Sequence, residues 1–125
     1  MIQPQELRIG NWVNVSGNTI DTYQTSKPKQ VSIEFLNAIK IENDERPDGI
    51  LTWFSPIPLT PEILEKCGFV KYEPMMYRLK EGWHWIAVDT NSLYINGKQV
   101  VLIEYLHQLQ NLYFALTGEE LTINL

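Results

Sequence analysis

The sequence predicts an α+β fold, with short, mostly antiparallel strands packed by one short and one long helix in the C-terminal half. Three observations predict it. Runs of β-forming residues alternate with turn residues over 75–101, a proline-and-threonine helix start stands at Thr60–Pro61, and apolar residues recur at spacings of three and four from Leu102 to Leu116. A length of 125 residues, with 44% hydrophobic and 20% charged residues, suits one domain whose core needs neither disulfide nor metal. Its expected parts are a β-rich stretch over 1–58 and, over 59–125, a helix, a β-meander, a long helix and a terminal strand.

The segment LRIGNWVNVSGN joins Ile9, Trp12, Val13 and Val15 to Gly10 and Asn11, the composition of a strand with a bulge or close approach at Gly10. A polar excursion, TIDTYQTSKPKQ, follows. In VSIEFLNAIKIE, Val31, Ile33 and Phe35 alternate, as do Ile39 and Ile41, which predicts a meander of short strands turning at Asn37–Ala38. NDERPDG reads as a surface turn and ILTWF as the strand leaving it. Closure of these N-terminal strands as an SH3-like barrel is left open.

SPIPLTPEILEKCGF carries the clearest local grammar. Pro56 and Pro58 hold the chain extended, Thr60 is placed to cap a helix, Pro61 fits its first position, Glu62 suits the positive end of the dipole, and Gly68 stops it. Next come MMYRL, WHWIAV, SLYI and KQVV, separated by turns at Lys80–Gly82, Asp89–Asn91 and Asn96–Gly97. In WHWIAV both faces are apolar, as in a strand covered on each side. The last helix then shows a stripe of Leu102, Tyr105, Leu106, Leu109, Leu112, Tyr113 and Leu116, ending at Gly118.

Off that stripe lie His107, Gln108, Gln110, Asn111 and Phe114. Gln108, Gln110, Asn111 and Phe114 are richer in amides than an ordinary solvated face, which makes them a candidate surface for a protein partner or a second copy of the chain. An exposed patch holding Tyr94, Phe114 or Trp53 would serve the same reading.

Chemistry-bearing motifs are thin, and no catalytic residue is assigned. Cys67, His84 and His107 stand apart with no metal-ligand spacing, so no metal site is predicted, and Cys67 reads as a small buried hydrophobe. His107, near Glu104 and Asn111, reads as a structural histidine. No phosphate-cradling glycine motif occurs, so no cofactor is expected. The net charge of −5 divides over both halves, and Lys71, Arg78, Lys80 and Lys98 are diluted by Glu73, Glu81 and Asp89; nucleic acid is therefore an unfavoured partner despite four tryptophans and six tyrosines. A lone cysteine, a start without a signal pattern and the lack of a long apolar run predict a cytoplasmic protein with no membrane contact.

Three segments, ELRIGNWV, PIPLTPEILEKCGF and IEYLHQLQNLYFALTGEEL, resemble recurring segments of a family of small uncharacterised proteins encoded by Bacteroides, its relatives and their phages or prophages. The resemblance implies a bacterial cytoplasm or a mobile element as the setting. It implies no activity and no site residue. Together with the composition it leads to the expectation of a small non-enzymatic interaction or accessory module, with a nucleic-acid-associated accessory protein and an enzyme with an unrecognised site as alternatives.

Overall fold

The computed structural model describes residues 4–16, 26–45, 54–73, 76–80, 82–83 and 85–125. The chain divides into two compact units, Met1–Ile57 and Pro58–Leu125. The fold is α+β, with two antiparallel sheets of three and five strands and three α-helices.

In the first unit a 3₁₀ turn over Pro4–Glu6 precedes β1 (Trp12–Ser16), β2 (Ser26–Gln30), α1 (Ile33–Glu45) and β3 (Phe54–Pro56). The strands lie in the order β2-β1-β3. Among the described residues β2 and β3 are the edges of this sheet, and no closure into an SH3-like barrel is seen. The buried Asn11 builds the entry to β1: its side-chain oxygen accepts from the Arg8 N–H at 2.7 Å, and its carbonyl accepts from the Val31 N–H at 2.7 Å. β2 lies within the stretch read as a polar excursion. Its Pro28 lacks a donor and is tolerated because the strand is an edge.

The meander expected over 31–41 is instead α1. Ser32 begins it, its hydroxyl accepting from the Phe35 N–H at 3.2 Å, and Glu34 in the first turn is held below its ordinary pKa by bonds from its own backbone N–H and from the Ser32 hydroxyl. Val31 lies just before the helix, and Phe35, Leu36 and Ile39 share one helical face with it against Leu7, Val13 and Val15. Ile33 and Ile41, which completed the apparent strand alternation, point to solvent at 64% and 55% exposure. The competing helical period therefore prevails, because it packs three apolar residues of one face against the core, Ile39 fully buried and Phe35 and Leu36 partly. Asn43–Glu45, read as part of a surface turn, belong to the same helix; the rest of that turn and residues 50–53 of ILTWF, Trp53 included, lie outside the described residues.

The second unit runs α2 (Pro61–Lys66), β4 (Phe69–Glu73), β5 (Met76–Leu79), β6 (Ile86–Val88), β7 (Ser92–Ile95), β8 (Lys98–Leu102) and α3 (Leu106–Thr117). α2 starts as its sequence dictates, with the Thr60 hydroxyl accepting from the Ile63 N–H at 3.2 Å and Pro61 at the first position. β4 through β8 form a sequential meander. The β7–β8 turn places Asn96 at φ 51° and Gly97 at φ 82°, the pair of positive values that a two-residue type I′ hairpin requires. Strand β4, not foreseen in the sequence, pairs with β5 through Phe69–Leu79, Val70–Arg78 and Lys71–Tyr77.

One face of this sheet, with Phe69, Tyr77, Leu79, Ile86, Val88 and Leu93, is buried, and so is the α3 stripe of Leu106, Leu109 and Tyr113. These apolar layers are the two halves of the unit's core. Burying each leucine contributes roughly 1.5–3 kcal/mol of transfer free energy. α3 begins later than its pattern suggests, because Leu102 completes β8 and is 70% exposed. Gly118, at φ 74°, ends the helix with its N–H on the Phe114 carbonyl. The terminal strand expected beyond it is absent; residues 120–125 follow an irregular path.

Candidate functional site

The second unit contains a cleft of about 750 Å³ at the junction of α2, the β4–β5 hairpin, the end of α3 and the C-terminal tail. Local rules place each wall. Gly68 turns the chain out of α2 into β4, so that Cys67 and Phe69 fall inside while Val70 and Lys71 reach the rim. Leu79 and Lys80 follow from β5, where the Lys80 N–H donates to the Gly68 carbonyl at 3.1 Å.

The tail wall is fixed at both ends. At its start the Thr117 hydroxyl donates to the Tyr113 carbonyl at 2.7 Å and accepts from the Glu119 N–H at 3.1 Å, while the Trp83 indole N–H donates to the Glu119 carboxylate at 3.1 Å. At its far end the Asn124 N–H donates to the Lys66 carbonyl at 2.9 Å. Between these points Leu121 is buried. The cleft is thus a standing feature with an apolar floor of Phe69, Leu79, Tyr113 and Leu121.

The charges around it are divided by wall. Lys71 and Lys80 come from the hairpin, whereas Glu65 comes from α2 and Glu119 and Glu120 from the tail. Burial, and to a lesser extent the nearby Glu119 carboxylate, raises the pKa of Tyr113 above its ordinary value. Burial alone pushes the Cys67 thiol up to about 12, so at neutral pH it is a protonated, weakly nucleophilic group. Among the described residues no group of three or more His, Cys, Asp or Glu side chains could hold a metal ion. No described helix is long and apolar enough to cross a membrane.

The residues singled out on the last helix are distributed differently. Gln110 and His107 are buried, at 2% and 1% exposure, with the His107 ring stacked on Tyr105 at 5.9 Å. The Gln108 side-chain oxygen accepts from the Glu104 and Tyr105 N–H groups, at 2.8 and 3.1 Å, and so serves the start of α3. Asn111 is half-buried, and Phe114 is 40% exposed on the surface of the helix. Tyr94 is half-buried with its hydroxyl on Asp89 at 3.2 Å. His84 lies outside the described residues. Among the described candidates, only Cys67 lines the cleft.

Sequence reasoning missed the cleft because its walls are far apart in the chain. A weak signal was present in the apolar Leu121 and in the edge-strand composition of FVKYE. Compared with protein-family models, curated proteins and solved structures, the chain matches none.

Proposed function

We propose that this chain is a small protein-interaction module and that the cleft of its second unit holds a segment of another protein. The observation that carries this reading is that the cleft opens beside β4, the outermost strand of a five-stranded sheet, with an apolar floor and a charged rim. Recognition at a strand edge uses main-chain bonds for affinity and adjoining hollows for side chains. A rim of two lysines and three glutamates gives no continuous cationic track for a phosphate backbone, and the protonated Cys67 thiol is a poor nucleophile. The resemblance to small proteins of Bacteroides and its phages supports a partner from a bacterial cytoplasm or a mobile element. Phe114, with Asn111 beside the buried Gln110 and the capping Gln108, offers a second surface for another copy of the chain.

Panning a random peptide library against the wild-type protein and against Thr122→Trp tests this. Thr122 is exposed on the tail wall, so the indole fills the cleft while the core is spared. Enrichment on wild type, lost on a Thr122→Trp variant with an unchanged unfolding midpoint, is expected. No enrichment, or the same peptides on both proteins, overturns the proposal.

A further inference from the structure

We infer that Tyr113 sets the specificity of the cleft, its hydroxyl donating to the uncharged side-chain carbonyl of a glutamine carried by the bound segment. This rests on the cleft being an interaction site and names the residue type that the cleft selects.

Tyr113 lines the cleft and is only 5% exposed, yet its hydroxyl has no hydrogen-bond partner among the described residues. The bond from the Thr117 hydroxyl falls on its main-chain carbonyl and leaves the phenol untouched. A buried tyrosine ordinarily places its hydroxyl on a partner, because a polar group withdrawn from water without one is costly. Since the side chain stands in the wall of the cleft, a group that enters the cleft is positioned to complete it. Cys67, 2% exposed in the same wall, adds a thiol that is only a weak donor and acceptor. The strong polar function of the buried wall is thus the Tyr113 hydroxyl.

Charge narrows what that hydroxyl takes. Burial raises the pKa of both Cys67 and Tyr113, and the surroundings that keep these two groups neutral also disfavour an ion placed among them. An anionic acceptor meets the Glu119 carboxylate as well, which already bears on Tyr113. The fitting partner for a protonated hydroxyl here is therefore an acceptor without charge. The floor of Phe69, Leu79 and Leu121 suits the methylene groups that lead to it. Asparagine and glutamine carry an uncharged side-chain carbonyl, and glutamine has the longer apolar stem. Its amide N–H groups find uncharged acceptors in the exposed Thr122 hydroxyl and the exposed Asn124 side chain of the tail wall.

Four fluorescein-labelled nonapeptides on a common serine-and-leucine frame, differing only in a central glutamine, leucine, glutamate or lysine, provide the test. The glutamine peptide should bind about threefold to tenfold more tightly than the leucine peptide, the span of one hydrogen bond, and more tightly still than the two charged peptides. In Tyr113→Phe, which keeps the ring, the glutamine advantage should vanish while the leucine peptide holds its affinity. The glutamine peptide should also move the NMR signal of ring-labelled Tyr113 in the wild-type protein, a readout that stands even if Tyr113→Phe lowers the unfolding midpoint. Equal affinity for the glutamine and leucine peptides, tighter binding of a charged peptide, an advantage that survives in Tyr113→Phe, or an unmoved Tyr113 signal overturns the inference. Binding that Thr122→Trp abolishes but that shows no preference for glutamine refutes the role of Tyr113 and leaves the cleft as an interaction site. The absence of any Thr122→Trp-sensitive binding refutes both.

Discussion

The Trp83 indole N–H meets the Glu119 carboxylate at 3.1 Å across 36 residues of sequence, and this bond ties the tail to the connection between β5 and β6. Glu119 also bears on Tyr113, whose pKa is raised first by burial and then by this carboxylate. In Glu119→Gln the Tyr113 ionisation should move down but stay above that of free tyrosine, because burial remains. NMR of ring-labelled tyrosine, with Tyr113→Phe for assignment, reads this directly. An unmoved Tyr113 signal would mean that the carboxylate is not oriented toward the ring.

The raised Cys67 thiol makes stability depend on pH. Its folded pKa of about 12 exceeds the model-compound value of 9.0, so the unfolded chain loses this proton first as pH rises. The associated stability is complete below pH 9 and is lost as pH rises toward 12, at up to about 1.4 kcal/mol per pH unit. Denaturant unfolding of wild type and Cys67→Ala over this window should show the steeper decline in wild type. Parallel curves would refute it.

Leu106 and Leu109 are fully buried on α3. Truncation of either to alanine removes transfer free energy and leaves a cavity, so each variant should lose about 2–5 kcal/mol in urea unfolding. A loss below about 0.5 kcal/mol at both sites, the range of surface substitutions, would contradict their burial.

Ser32 caps α1 through the Phe35 N–H. Ser32→Ala should destabilise the first unit by about 1 kcal/mol, and Ser32→Asp should restore most of the loss. Hydrogen exchange over residues 33–45 localises the effect; if these residues were strands, neither substitution would follow the capping order.

Gly118 holds a left-handed conformation at the end of α3. Gly118→Ala should cost about 1 kcal/mol and Gly118→Asn less, since asparagine tolerates this region better than alanine. Thermal unfolding of the two variants gives the order, and an alanine variant as stable as wild type would contradict the cap.

The sequence by itself determined the features whose causes lie within a few residues. Thr60 and Pro61 start α2, Asn96 and Gly97 close the β7–β8 hairpin, Gly118 stops α3, and the three-and-four spacing of Leu106, Leu109 and Tyr113 marks a buried face. Each signal acts through local backbone geometry or helix period, so no distant partner is needed to read it. Tertiary structure decided the rest. The stretch over 31–41 satisfies both a strand and a helical period, and only packing of Phe35, Leu36 and Ile39 against Leu7 and Val13 selects the helix. The amides of α3 look alike in sequence, yet Gln110 is buried while Gln108 caps the helix, because burial and bonding depend on what surrounds each position. The cleft exists because Asn124 reaches Lys66 and Glu119 reaches Trp83. Contacts between segments so far apart leave no periodic mark in either segment, since each is set by the path of the chain between them.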